Sequence, residues 1–217
     1  MKRVYIVVEG QTEQEFVNSV ISPYLRSFGI LSVTPVLVRT SRTGRGGMVS
    51  YSHLANTIKP LLMSEKSDYV VTTFIDFFRL PHDMPQYEDS MKKPNKAAQV
   101  KSLEEAINGA INDRRFFSYI QLHEFEALLF SSNKGFEYYF SDEHAEATAA
   151  VISSYNNPED INSSPEGAPS KRLLAIKPDY NKVLEGNLIA LEIGIQSILE
   201  KCPRFAGWIK AIIGKAE

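Results

Sequence analysis

The sequence is poor in features that would place it in several large protein classes. It has one cysteine, Cys202, among 217 residues, which excludes a disulfide framework and a multi-cysteine metal site. The first apolar run, Val4 to Val8, is far shorter than a membrane span of about 20 residues or a signal-peptide core. We therefore expect a soluble cytoplasmic protein that does not enter a membrane.

Net charge is also nearly absent. The formal charge is −2, so no field from the whole molecule draws the protein onto nucleic acid, and any such binding needs a local patch. No phosphate-binding loop of the Gly-Lys-Ser/Thr type occurs, and the glycine-rich stretch "TGRGG" does not match one. The hydrophobic share of 43% is sufficient for a sizeable core.

Strand and helix patterns alternate through the first part of the chain. Val4 to Val8 and residues 69–75 are typical of strands buried on both faces, and Phe116 to Leu122 resembles a further strand. Apolar residues with helical spacing follow each of the first two of these strands. This alternation predicts an α/β domain over 1–130 with a mainly parallel sheet flanked by helices, and a helical extension over 131–217 packed on it. Within the extension, the spacing of apolar residues predicts a helix around Asn187 to Lys201.

Acidic residues follow three predicted strands. Glu9 follows the first, Asp76 follows the "VVTTFI" strand, and Glu124 follows the "FSYIQL" strand. Ligands of parallel sheets collect at the carboxyl ends of strands, so these side chains are expected to converge there. Glu13 falls in the first turn of the next helix, near the same edge, although Thr12 and Glu15 also form a capping-box pattern that would explain a solvated helix start.

Converging carboxylates need a compensating charge. At an effective dielectric of about 20, two unit charges ~4 Å apart repel by roughly 4 kcal/mol. Oxygen ligands suit Mg²⁺ or Mn²⁺, and such ions can support phosphodiester hydrolysis. Asp76 follows a buried strand and precedes Phe77-Phe78, so its charge needs a partner.

In "HEFEALLF", Glu124 and Glu126 point in different directions on a helix, so one of them is expected to face the site.

Basic residues in two loops are candidates for contacts with a nucleic-acid backbone. They are Arg39, Arg42 and Arg45 in "RTSRTGRGG", and Lys171 and Arg172 in "APSKRL". A solvated loop explains the first group equally well. For the second, a helix start capped by Ser170 is the simpler interpretation.

Five stretches in order resemble the Toprim-related bacterial and archaeal proteins catalogued as domain of unknown function family 4276. These stretches are "VVEGQTEQEFV", "TTFIDFFRLP", "YIQLHEFEALLF", "APSKRLL" and "VLEGNLIALEIG" with "CPRFAGWI". Toprim domains are α/β folds with a glutamate after the first strand and an Asp-x-Asp after a later one, and they occur in topoisomerases, primases and nucleases of the overcoming-lysogenization-defect (OLD) type.

The resemblance implies roles for individual residues. Glu9 matches the first-strand glutamate, Glu13 is similar to the second acid of OLD-type nucleases, and Asp76 matches the first aspartate of Asp-x-Asp. Phe78 stands where the second aspartate is expected, so Glu124 or Glu126 must replace it or fewer ions bind. Lys171 corresponds to the lysine of OLD-type sites.

Two functions follow as hypotheses. The first is a Mg²⁺- or Mn²⁺-dependent nuclease acting on DNA or RNA, with Glu9, Glu13, Asp76 and Lys171 as catalytic residues and Glu9, Asp76, Glu124 and Glu126 as metal ligands. Related Toprim nucleases often act beside an ATPase in phage defence, and this chain would need that partner in trans. The second is a non-catalytic regulatory or interaction module with a degenerate acidic site.

Overall fold

A computed structural model gives the architecture of residues 2–40, 47–48, 50–63, 68–161 and 167–216. Its centre is a parallel sheet with strand order β2-β1-β3-β4, in which β5 also pairs with β3. The strands are β1 (Arg3–Val8), β2 (Ser32–Leu37), β3 (Tyr69–Asp76), β4 (Phe116–Phe117) and β5 (Ile120–Gln121). The prediction of an α/β fold with a mainly parallel sheet is confirmed.

Helices cover both faces of the sheet and form the C-terminal region. The first half of the chain contributes α1 (Gln11–Phe16), α2 (Ser22–Arg26), α3 (Tyr51–Leu62), α4 (Tyr87–Met91) and α5 (Lys96–Ile111). The second contributes α6 (Glu126–Leu129), α7 (Lys134–Tyr139), α8 (Asp142–Ser153), α9 (Pro169–Ile176), α10 (Glu185–Ile193), α11 (Ile195–Lys201) and α12 (Pro203–Ala216). A π-helical turn, Val17–Ile21, joins α1 to α2, and a 3₁₀ turn, Pro158–Asp160, precedes α9.

The hydrophobic pattern of β3 explains its central position. Every residue from Tyr69 to Ile75 is buried, as expected for a strand covered on both faces, and only Asp76 at its carboxyl end is partly accessible. β1 pairs with β3 along its whole length, from Arg3 opposite Tyr69 to Val8 opposite Phe74. Glu9 and Asp76 therefore leave the sheet at the same edge.

The C-terminal helices share a core with the sheet. Trp208 of α12 stacks on Tyr119 and Phe74, with ring centroids 4.6 and 5.4 Å apart, and its indole N–H donates to the Thr72 hydroxyl at 2.9 Å. At another contact, Gly135 of α7 lies so close to α10 that an added Cβ would stand 2.5 Å from the Ile189 carbonyl oxygen. The region after residue 130 thus packs directly on the sheet.

Three details of the sequence analysis are corrected. α1 begins at Gln11 after the N-cap Gly10, with no side-chain cap, so the capping box of Thr12 and Glu15 does not form. The predicted strand from Phe116 to Leu122 consists of two short segments, β4 and β5. The predicted helix from Asn187 to Lys201 is broken at Gly194, where a φ of 78° interrupts the helical backbone between α10 and α11.

Candidate active site

Four acidic side chains from separate elements meet at the carboxyl edge of the sheet. Glu9 directly follows β1, Glu13 lies in the first turn of α1, Asp76 ends β3, and Glu126 begins α6. Burial is high for three of them, with side-chain exposures of 5% for Glu13, 12% for Asp76 and 0% for Glu126. Such burial is costly for a carboxylate unless a cation or hydrogen bonds compensate it.

The compensating cation is Lys182, from the loop between α9 and α10. Its Nζ lies 3.2 Å from Glu126 Oε2, 3.4 Å from Glu13 Oε1 and 3.6 Å from Asp76 Oδ2. The sequence analysis did not identify this lysine. It is remote in sequence from every acid it contacts, and no motif or spacing marks it, although the predicted excess of carboxylates was a signal that some cation had to be present.

Glycine and backbone groups position the acids. An added Cβ at Gly10 would stand 3.0 Å from Glu13 Oε2, so the glycine leaves room for the Glu13 side chain to fold back towards the sheet edge. The backbone N–H of Phe125 donates to Asp76 Oδ1 at 3.0 Å. Neither carboxylate oxygen of Glu126 has a hydrogen-bond partner in the part of the chain that the structure describes. The polar contact of this carboxylate is the 3.2 Å ion pair between Glu126 Oε2 and Lys182 Nζ.

The electrostatics show a surplus of acid in the cluster. Burial, with a contribution from Glu13, raises the pKa of Glu9 to about 7. Burial raises the pKa of Glu126 to about 6, and burial also raises the pKa of Asp76 well above its usual range despite the attraction of Lys182. Burial alone would lower the pKa of Lys182, but the carboxylates of Asp76, Glu126 and Glu13 outweigh it and raise that pKa. The site therefore favours additional positive charge.

Glu124 has a different role from Glu126. Its carboxylate accepts hydrogen bonds from the Ser170 backbone N–H at 3.0 Å and the Ser170 hydroxyl at 2.9 Å, at the first turn of α9. The helix is thus capped by a side chain from another element, which corrects the prediction that Ser170 itself caps it. Of the two glutamates, Glu126 faces the lysine-centred cluster.

An open cavity of about 220 Å³ lies beside the buried acids. Its lining consists of Glu9, Asp76, Phe78, Arg79, Glu124, Ser170 and Lys171. Lys171 is exposed in the first turn of α9, and Phe78 occupies the place where an Asp-x-Asp motif would have its second acid. The structure therefore brings Glu9, Asp76, Glu124 and Lys171 together around one space.

The predicted basic residues are placed separately. Arg39 is exposed just after β2, with its backbone N–H bonded to Thr57. Arg42 and Arg45 lie outside the described residues. The guanidinium of Arg172 donates to the Gly167 carbonyl at 2.8 Å and the Tyr155 hydroxyl at 3.1 Å, so it holds the loop before α9. Nucleic-acid binding by these residues stays a prediction.

His123 is buried next to the site but is not part of it. It adopts a left-handed backbone conformation with a φ of 70°, and its carbonyl accepts a hydrogen bond from the Phe78 N–H at 2.8 Å. Burial, with Lys96 nearby, lowers its pKa to about 4. It is neutral at physiological pH, and its backbone helps to hold the chain after β3 against the chain after β5.

The donor set fits a divalent cation in chemistry but not in its present spacing. Carboxylate oxygens suit Mg²⁺ or Mn²⁺, and the Glu126 oxygens lack hydrogen bonds. However, no group of three or more His, Cys, Asp or Glu side chains within the described ranges is arranged to hold a metal ion. The Lys182 ammonium lies among the inner carboxylates instead.

Fold and site together define an α/β protein with a parallel sheet and an acidic, lysine-containing site at the carboxyl ends of its strands. The chain belongs to the family described as Domain of unknown function (DUF4276), whose model matches residues 8–213. No curated protein matches it.

Among solved structures, the chain is similar to the C-terminal region of the Burkholderia pseudomallei OLD protein. The two share 15% sequence identity with a TM-score of 0.48, and the match covers 98% of this chain and 96% of that one. In the described part of this chain, none of the helices has the length and apolar character needed to cross a bilayer.

Proposed function

We propose that the protein is a Mg²⁺- or Mn²⁺-dependent nuclease that hydrolyses phosphodiester bonds in DNA or RNA. The observation that supports this most is the convergence of Glu13, Asp76 and Glu126 on a single cationic centre, next to an open cavity that contains Glu9 and Lys171. Buried acids are retained at such a cost where they bind cations or move protons. The sequence resemblance to Toprim-related proteins supports the same chemistry.

The roles divide according to accessibility. Glu9, Glu13, Asp76 and Glu126 would hold the ion, which when bound neutralises phosphoryl charge and lowers the pKa of a bound water. Lys171, exposed on the cavity wall, would contact the non-bridging oxygens of the scissile phosphate, where charge develops. Glu124 would hold α9, and with it Lys171, in place.

The experiment is a cleavage assay on plasmid DNA and single-stranded RNA with Mn²⁺. We expect Asp76→Asn and Glu9→Gln each to reduce cleavage about 100-fold or more, equivalent to about 2.7 kcal/mol of transition-state stabilisation. Glu15→Gln is the matched control, because Glu15 is an exposed acid on the same helix as Glu13. If both site variants cut as well as the wild type, the proposal is wrong.

The biological setting belongs to the same proposal. The resemblance to OLD-type proteins suggests phage defence in the cytoplasm, with a separate ATPase acting in trans. A neighbouring gene for an ATPase, and its co-purification with this protein, would support that assignment. A chain that cleaves equally well with and without that ATPase would argue against a joint machine.

A second candidate is a non-catalytic interaction module. It is favoured by Phe78 in place of a second aspartate, and by a lysine at the centre of the acids. Isothermal titration with Mn²⁺ separates the two functions. Binding that is lost in Asp76→Asn supports the enzyme, whereas the absence of binding supports the module.

A further inference from the structure

Among the described residues, the ion pairs of the Lys182 ammonium are all with the acidic site. Its ion pairs reach Glu13 on α1, Asp76 on β3 and Glu126 on α6. The lysine side chain is 37% exposed, although its partners are 12% exposed or less. A flexible stem that enters a buried cluster from the surface can withdraw without opening the core.

The loop that carries Lys182 has its firm attachments on either side of it. Tyr180 is buried against Gly186, and Lys177 pairs with Glu185 at 3.0 Å. Between these points the chain is on the surface, with Val183 and Leu184 exposed by 43% and 61%. The segment 181–184, which we name the lysine loop, also has hydrogen bonds of its own: the Leu184 N–H donates to the Asn181 side chain at 3.0 Å, and the Asn187 side chain donates to the Val183 carbonyl at 3.0 Å. Lys182 therefore reaches the site with a flexible side chain from a held backbone.

One ammonium only partly compensates the site. It provides a single charge to three carboxylates, with Glu9 close by, and its 3.2 Å contact is to Glu126 Oε2, so the buried Oε1 has no hydrogen-bond partner among the described residues. A divalent ion has twice the charge and accepts six or more oxygen ligands. Both cations need the same carboxylates, so they compete for one position.

We propose that Lys182 is a resident cation of the acidic site that competes with the divalent ion and sets its affinity. When the ion binds, the ammonium withdraws towards solvent by rotation of the Lys182 side chain. This inference rests on the proposed metal-dependent function. Metal affinity then depends on Lys182, which contacts the acids without being a metal ligand. When metal is scarce, the ammonium keeps the acids paired.

The first test is isothermal titration of Mn²⁺ into the wild-type protein, Lys182→Met and Lys171→Met. Both substitutions remove one positive charge from the site, but Lys182 pairs with the buried acids, whereas Lys171 lies on the cavity wall. We expect Lys182→Met to bind Mn²⁺ about tenfold more tightly or better, and Lys171→Met to stay within about threefold of the wild type, because an exposed charge is screened by solvent.

Each outcome has a distinct meaning. Unchanged or weaker binding in Lys182→Met overturns the resident-cation inference while the nuclease proposal stands. No binding in any of the three proteins overturns the metal-dependent function itself. If Lys182→Met does not fold, the double variant Lys182→Met/Glu126→Gln removes one acid together with the lysine, and it is expected to bind Mn²⁺ more tightly than Glu126→Gln alone.

The second test uses the wild-type protein and needs no substitution. Lysines are acetylated with and without Mn²⁺, and the modified positions are quantified by mass spectrometry. We expect Mn²⁺ to increase modification of Lys182 several-fold, since its amine leaves the ion pairs, while Lys177, which is paired with Glu185 outside the site, stays constant. Protection of Lys182 by Mn²⁺ would contradict the inference.

Discussion

The acidic site has two halves that differ in how their charges are balanced. In the inner half, Glu13 and Glu126 are buried and share the Lys182 ammonium. In the outer half, Glu9 and Lys171 face an open cavity without a mutual ion pair among the described contacts. Asp76, at the end of β3, borders both halves.

The inner half therefore contains buried, paired charges, and the outer half is the part that a ligand can reach. In the inner half, burial of the carboxylates costs free energy, and the Lys182 ammonium offsets part of that cost. The outer half has the open space through which a phosphate or a metal ion can enter. A site with both properties can remain folded without a ligand and still be ready to accept one. Each of the following predictions tests one half against the other.

The largest effect is expected from removing the inner cation. In metal-free buffer at pH 8, we expect Lys182→Met to lower the free energy of unfolding by about 2 kcal/mol, because it leaves buried carboxylates unpaired. Lys171→Met, in the outer half, should change it by less than about 0.5 kcal/mol. Urea unfolding of the three proteins measures the difference.

The loss in Lys182→Met should also depend on pH. The pKa values of Asp76 and Glu126 are raised, so these acids become neutral on acidification and no longer need the lysine. The destabilisation should therefore shrink as the pH falls from 8 to 5. Equal losses in the two lysine variants would show that the halves do not differ.

The second prediction concerns the pH dependence that Glu9 imposes. The pKa of Glu9, about 7, lies above the ordinary glutamate value of 4.5, so between these pH values the folded protein keeps a proton that the unfolded chain releases. The free energy of unfolding should therefore fall as the pH rises through this window and level off above 7, by roughly 1 to 2 kcal/mol after allowance for partial exposure.

Glu9→Gln is the matched test of this slope. Position 9 cannot ionise in this variant, so in metal-free buffer its stability should fall less than that of the wild type between pH 4.5 and 7. The fall that remains belongs to Asp76 and Glu126, whose pKa values are also raised, and the variant should be more stable than the wild type at pH 8. Urea unfolding at pH 5, 6, 7 and 8 gives both profiles. Parallel profiles for the two proteins would show that another group carries the dependence.

The smallest effect is expected at Glu124, which supports the outer half. Glu124→Ala removes the cap of α9 and should cost about 1 kcal/mol of stability, whereas Glu124→Gln keeps an acceptor for Ser170 and should cost less. Metal affinity should distinguish Glu124 from Glu126. Glu126→Gln should weaken Mn²⁺ binding more than Glu124→Gln, and the opposite order would place Glu124 among the ligands.

Much of the fold and the location of the site could be predicted from local pattern. The buried run before Asp76 identified a central strand, and in a parallel sheet the acids after β1 and β3 must leave at one edge. These inferences succeed because burial on both faces leaves a clear sequence pattern. The family assignment, based on short motifs in order, is confirmed.

The parts that could not be predicted depend on contacts distant in sequence. Lys182 reaches acids on three other elements, and Glu124 caps a helix 46 residues away. The capping box at Thr12 and Glu15 was wrong because Gly10, which makes room for Glu13, is the N-cap instead. Local motifs predict local hydrogen bonds, and here tertiary packing decided which of them formed.

The single tryptophan has a practical consequence for all of these measurements. Trp208 is buried and stacked on Tyr119 and Phe74, and it donates a hydrogen bond to Thr72, which lies four residues before Asp76 on the same strand. Its fluorescence therefore reports on the strand that carries the shared aspartate, without any added dye. A change in emission on adding diamagnetic Mg²⁺ would show that the packing around β3 changes, whereas a constant signal would confine the response to side chains at the site.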